Sequence, residues 1–374
     1  MAMTISGFTI TGNLTSVHIP PPPPPPYYIW SWGGNGSGRL GLGDTTNRSS
    51  PTQIGALTTW LSVAAGYNHG QAIKTDGTMW TWGSGIDGRL GLGNTTAYSS
   101  PKQVGALTTW LSIAASYHSL AIKTDGTLWA WGRNPSGNLG LGNTTNYSSP
   151  VQVGALTNWL KIAAGSDFTL ANKTDGTLWA WGTNGSGNLG LGNTTSVSSP
   201  VQVGTDTNWS TFEISWYHAA AIKTDGTMWS WGNYQNGRLG LGNTTNVSSP
   251  VQIGALTNWS KVAVHSAGSV AIKTDGTMWA WGNNDQGQLG LGDTTNQSSP
   301  VQVGALTTWL NVSAGPRHVL AIKTDGAMWA WGGNGNGQVG DNTITNRSSP
   351  VQIGALTTWL NVAAGSYFSL AVSN

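Results

Sequence analysis

The stretch that decides the fold is WLKIAAGSDFTLANKTDGTLWAWGTNGSGNLGLGNTTSVSSPVQV, residues 159–203. Within it TLWAWG alternates, so Trp179 and Trp181 fall on one face of a strand and Leu178 and Ala180 on the other. Asp175-Gly176, between FTLANK and TLWAW, is a hairpin signal, because glycine takes a positive φ without steric cost. WLKIAA and SPVQV are two more short strands bounded by Gly and Pro. No helical apolar period is present. Both faces of TLWAWG are apolar, which calls for a sheet covered on both sides. Four antiparallel strands in about 50 residues, packed on each face, read as one blade of a propeller.

The stretch recurs around the chain. Trp-x-Trp-Gly occurs seven times, ending at Gly33, Gly83, Gly132, Gly182, Gly232, Gly282 and Gly332. A second Trp column follows Thr or Asn (Trp60, Trp110, Trp159, Trp209, Trp259, Trp309 and Trp359), and a Pro column runs from Pro51 to Pro350. Only Trp216 stands outside the three Trp columns. The turn Lys-Thr-Asp-Gly occurs six times, and the last repeat stops at SLAVSN, where the seventh would begin. Its missing strands sit at the other end, as YYIWSWG and SPTQIG. An open solenoid would need atypical capping repeats, and none is visible. The expected fold is all-β: a seven-bladed propeller of four-stranded antiparallel blades, covering 27–374. One blade is split between 27–55 and 355–374, so that closure removes both free edges.

Composition agrees with a packed ring. The 374 residues include 54 Gly and 22 Trp, with no Cys and only 8% charged residues, against roughly 25% in an ordinary domain. So many tryptophans argue against disorder. The net charge of +2 is too small to drive binding to nucleic acid or an anionic membrane, and no apolar run is long enough to span one. Without cysteine there is no disulfide, thiolate metal site or cysteine nucleophile. The first residues lack the basic and apolar regions of a signal peptide.

With WxWGxNxxGxLGLG, VAAGxxH and KTDGTxW in hand, the sequence resembles the regulator of chromosome condensation repeat family across all seven repeats. That resemblance implies a seven-bladed propeller. GRLGLGDTT at 38–46 and GQLGLGDTT at 287–295 are near its consensus, whereas QVGDNTIT at 338–345 departs from it. The family's histidine is present as His69, His118, His218 and His318, and is replaced by Phe168, Gly268 and Phe368. A residue exchanged so freely for Phe reads as structural. The eukaryotic founder of the family is a nucleotide exchange factor that also binds chromatin. A plant UV-B photoreceptor of the family uses Gly-Trp-Arg-His-Thr motifs. Here SWYHA at 215–219 and GPRHV at 315–319 come nearest, and neither combines Trp with Arg. The near-identical, Asn/Gly/Thr/Ser-rich repeats look most like bacterial and bacteriophage members.

Catalytic chemistry finds little support. Gly36-Ser-Gly38-Arg-Leu-Gly41 matches G-x-G-x-x-G but opens no helix, so it is not read as a dinucleotide site. The turn aspartates, such as Asp125 and Asp225, serve their own hairpins. No carboxylate grouping has metal spacing, and no nucleophile elbow is present. The expectation is no enzyme, no cofactor and no metal.

The repeats differ from one another after AAG, in WGxNxxG and in TTxxSS, and the strand order places all three on one rim. Candidate recognition residues there are Tyr67, Asn68, Tyr117, Asp167, Trp216, Tyr217, His265, Arg317 and Tyr367. Such a mixture suits a glycan or a polar protein surface; the alternative is drift of exposed loops. Residues 1–19 form a candidate assembly arm with spaced apolar residues (Ile5, Phe8, Ile10, Leu14, Val17), followed by the proline linker 20–26. As polyproline II the linker is a semi-rigid spacer of roughly 22 Å. Arm, spacer and head suggest a non-enzymatic interaction module. The leading placement is a bacteriophage virion, as a tail-associated or decoration protein. Its arm would join other structural proteins, and its propeller would meet a cell-surface glycan or protein. The alternative is a cytoplasmic regulatory propeller of the guanine-nucleotide-exchange-factor type.

Overall fold

The fold is that of a computed structural model in which residues 26–242 and 245–374 are described. The arm residues Ile5, Phe8, Ile10, Leu14 and Val17 and the linker up to Pro25 lie outside the described residues. The remainder forms seven four-stranded antiparallel sheets. In the unit quoted above the strands are Trp159–Ala164, Phe168–Lys173, Leu178–Gly182 and Val197–Gln202, adjacent in chain order. We number the blades from the split one: blade 1 joins 359–373 to 28–53, and blades 2 to 7 are 60–103, 110–152, 159–202, 209–252, 259–302 and 309–352. In blade 1 the strand Tyr28–Gly33 pairs antiparallel with Phe368–Ser373, from Tyr28↔Ser373 to Gly33↔Phe368. The ring closes as the terminal strands required.

Blades are joined by their tryptophans. The second Trp of each WxWG is buried and its indole N–H donates to a backbone carbonyl of the preceding blade's loop. Trp82 bonds to Arg39 at 2.9 Å, and Trp32 to Gln338 at 2.9 Å, the bond that spans the closure. The loop glycine is obligatory here: Gly41 has φ +73, and a Cβ on it would lie 2.9 Å from Trp82 Nε1. Apolar clusters fill each junction, as where Leu170, Leu178 and Leu189 meet Trp209, Phe212 and Trp231. The second strand of every blade is buried along its whole length, because neighbours cover both its faces.

The histidine column is a second set of inter-blade ties. Nε2 of His69, His118, His218 and His318 lies 2.8–3.0 Å from a hydroxyl of the next blade: Ser119, Thr169, Ser269 and Ser369 respectively. Each hydroxyl donates onward to a loop carbonyl, so the imidazole is the donor and is neutral. Burial pushes His118 and His318 down to about 3, and His69 and His218 well below the ordinary value. Where the ring is Phe168 or Phe368, the facing residue is Ala219 or Gly70, which offers no hydroxyl. The column therefore covaries within the molecule, and its role is packing.

The turn and loop chemistry follows the same economy. Asp175 Oδ1 accepts from the Thr177 amide at 3.0 Å and its hydroxyl at 2.6 Å, and that hydroxyl accepts from Trp179 Nε1. Lys173 lies over Trp179, 3.5 Å from the ring centroid. In the long loops a buried asparagine ties the chain together: Asn35 Nδ2 donates to the Asp44 and Thr46 carbonyls and Oδ1 accepts from the Leu40 amide. Gly85 and Tyr234 replace it in blades 2 and 5, and there the loops wind into short 3-10 turns, Ile86–Gly88 and Gln235–Gly237. The divergent loop at 338–345 keeps the same tie through Asn334, and Asn342, at φ 63, takes the left-handed position that glycine holds elsewhere.

Candidate functional site

The first strands of the blades line a central channel. Its wall is mostly Val, Ile and Ala, and it encloses about 330 Å³. Glu213, the chain's one glutamate, stands in this wall 3.5 Å from Lys161, whose Nζ donates to the Thr211 hydroxyl at 2.6 Å. Enclosure by the channel pushes the Glu213 carboxyl up, against the pull of Lys161.

At the mouth of the channel the loops between first and second strands converge. Tyr67 and Tyr117 stack with centroids 4.4 Å apart. Trp216 reaches across from blade 5 to within 5.8 Å of Tyr67 and 6.1 Å of Tyr117. Tyr367 meets Tyr67 edge-on at 6.1 Å, and Tyr217 meets Trp216 at 6.2 Å. Five aromatic residues from four blades thus form one floor. Burial and a hydrogen bond to Tyr67 raise the pKa of both Tyr117 and Tyr367.

Arginines ring that floor. Arg39 and Arg317 lie 5.9 and 6.0 Å from the Tyr367 ring, Arg89 and Arg133 lie 5.7 and 5.4 Å from Tyr117, and Arg238 lies 5.2 Å from Tyr217. These are five of the chain's seven arginines. Arg89 pairs with Asp87 at 3.1 Å, and Arg133 with Asp167 at 3.5 Å. Arg89 and Arg238 are buried, and each donates Nε to a carbonyl of its own 3-10 turn. Burial lowers Arg238 to about 10.

The structure brings seven of the nine expected residues together: Tyr67, Tyr117, Trp216, Tyr217 and Tyr367 in the floor, Arg317 above it and Asp167 through its arginine. Asn68 contributes mainly its carbonyl, which accepts from the Ser84 amide at 2.9 Å. His265 does not belong to this surface. It is 1% exposed, and its ring fills the place of the missing column residue beside Gly268. Its counterparts are glycines such as Gly165 and Gly315, where a Cβ would strike the Phe168 or His318 ring. The Gly/His pair is simply exchanged, and the sequence columns did not reveal that the two positions share one space. The arginines at 39, 89, 133 and 238 were not singled out. The signal for three of them was present: the residue before Leu in GxLGLG is Arg39, Arg89 or Arg238 in three blades and Asn or Gln in the other four.

Among the described residues no group of three His, Asp or Glu could hold a metal ion, and no helix is long and apolar enough to cross a membrane.

Comparison with known proteins follows the fold closely. Residues 157–374 match a family described as RCC1-like domain, and 28–73, 76–122 and 125–171 match the regulator of chromosome condensation (RCC1) repeat. A second description of that repeat matches 60–89. No curated protein sequence matches the chain. Among solved structures it is similar to yeast RCC1 (Prp20) bound to Kap60, with a TM-score of 0.83 and 20% identity over 93% of this chain and 89% of that one. Prp20p of Saccharomyces cerevisiae, described with its binding properties to Gsp1p and histones, gives 0.83 and 21% over 93% and 91%. Human WBSCR16 gives 0.83 and 20% over 93% and 99%.

Proposed function

The chain belongs to the regulator of chromosome condensation repeat family, and from that premise we propose that it is a non-enzymatic protein-recognition module whose working surface is the channel mouth. One observation carries this reading: seven near-identical units place their unlike residues together. Tyr67 and Trp216 stand where other blades have Ser166, Ser266, Pro316 and Ser366. The blades that carry small residues there are folded alike, so the aromatic rings are not needed to make a blade. Clustered Tyr and Trp ringed by Arg, with Tyr217 45% exposed, is the composition of an interface centre.

Of the two placements, the regulatory propeller of the exchange-factor type has the better support, because the similar solved structures include Prp20, described with binding to Gsp1p and histones. The virion placement rests on the likeness of the repeats to bacteriophage members and on the arm and proline linker, and finds no support among the relatives. The test is release of labelled guanine nucleotide from a small GTPase on mixing with the protein. Acceleration that Trp216→Ala abolishes is expected. A GTPase panel that shows no acceleration removes the exchange-factor reading. Acceleration that Trp216→Ala and Tyr67→Ala leave intact moves the working surface elsewhere.

A further inference from the structure

Resting on that reading of the mouth, we infer that Arg39 and Arg317, on either side of the blade 7–blade 1 junction, form a carboxylate-binding clamp over Tyr367 for an acidic segment of a partner protein. The five arginines are not equivalent. Arg89 and Arg133 have their own aspartates, and Arg89 and Arg238 hold 3-10 turns in the two loops that lack the asparagine tie. Arg39 has neither duty. Its loop keeps Asn35, and among the described residues no carboxylate lies within ion-pair distance of it and its Nε has no hydrogen-bond partner. Arg317 is exposed and likewise has no ion pair among the described residues.

Two uncompensated guanidinium groups, each about 6 Å from one ring, leave this sector of the mouth positive while the Arg133–Asp167 sector is neutralised. Burial lowers the Arg39 pKa, so desolvation of its charge is not offset by a partner in the free protein. The repeats serve as an internal control: Gln288 and Gln338 occupy the Arg39 position in blades 6 and 7, and Asn68 and Ala267 occupy the Arg317 position in blades 2 and 6. Neither arginine is required by the fold. A planar guanidinium matches a carboxylate in two parallel hydrogen bonds, and the adjoining Tyr67 and Tyr367 rings accept the apolar stem of an acidic side chain. Nucleic acid is disfavoured by the aspartates that pair Arg89 and Arg133 in the mouth and by the +2 net charge.

The probe is a fluorescein-labelled octaglutamate peptide titrated with the full chain by anisotropy, beside octaglutamine, a sialylated trisaccharide and a single-stranded oligonucleotide. The expected result is salt-sensitive binding of octaglutamate alone, weakened at least tenfold in the Arg39→Gln/Arg317→Asn double variant, with near-ultraviolet circular dichroism unchanged. Each single variant reports its own arginine, should the double variant misfold. Equal binding of octaglutamine, tighter binding of the saccharide or oligonucleotide, no binding by the wild type, or an undiminished double variant overturns the clamp. The recognition-face reading is judged separately: dependence on Trp216 without dependence on Arg39 and Arg317 keeps the face and removes the clamp.

Discussion

The two faces of the ring are made from the same seven units, yet one is nearly uniform and the other is not. On the turn face, Lys-Thr-Asp-Gly repeats six times, five of them with the same internal hydrogen-bond relay and the sixth with Ala327 in place of its threonine, and lysines lie 3.5–4.0 Å from tryptophan rings. Leucines of the Gly-Ala-Leu-Thr turns, such as Leu57 and Leu156, stand about half exposed there. Even this face has a break: Asp206 replaces the leucine after blade 4 and pairs with Lys223 at 2.9 Å. On the loop face the same backbone ties recur, but the side chains leaving them differ blade by blade and meet only at the mouth. The contrast teaches that uniformity marks residues spent on their own blade. Unlike residues gathered at one point mark those the fold left free.

The comparison can be broken most forcefully at the frame the faces share. Trp231→Ala should cost about 3–5 kcal/mol in chemical denaturation, because it empties a buried junction and orphans the Asn188 carbonyl. A loss below about 1 kcal/mol would mean that the blades are held chiefly by something else.

Acid distinguishes the layers under the two faces. Burial holds His118, His265 and His318 at about 3, and His69 and His218 also well below 6.5. Between these values and 6.5 the unfolded chain binds more protons, so stability is complete above about 6.5 and falls as pH drops toward 3. The slope is at most about 1.4 kcal/mol per pH unit for each histidine. Asp76, Asp125, Asp175, Asp225 and Asp275, lowered by their Thr hydrogen bonds, begin to matter only below about pH 4. The thermal midpoint should therefore already decline from pH 6.5 to 4, and a flat midpoint over that range would contradict neutral buried histidines.

A finer test concerns the ties beneath the loop face. Ser369→Ala should cost about 1–3 kcal/mol by leaving His318 Nε2 unpaired. Adding His318→Phe should restore most of it, since Phe168 facing Ala219 is that arrangement elsewhere in the ring. Additive losses in the double variant would refute the pairing. On the turn face the effect is smaller: Lys173→Ala should cost about 1 kcal/mol in the same denaturation assay, the scale of a single cation–π contact. A cost as large as that of Ser369→Ala would erase the distinction between the faces.

Much of this molecule could be read from its residues. The period of the Trp, Pro and Gly columns specifies seven four-stranded blades, and the truncated last repeat specifies closure, because each unit can bury its two apolar faces only against copies of itself. The duties of the turn aspartates and of the column histidines were legible too, since both act through neighbours at fixed offsets. What the tertiary structure alone decided is which unlike residues meet. Tyr67, Tyr117, Trp216 and Tyr367 are up to 300 positions apart in sequence and come from blades 2, 3, 5 and 1. Their contact depends on how the loops lean over a closed ring, as does the exchange of His265 for the missing ring at Gly268. Local spacing encodes blades because strand geometry is short-ranged. Contacts across the channel exist only once all seven are assembled.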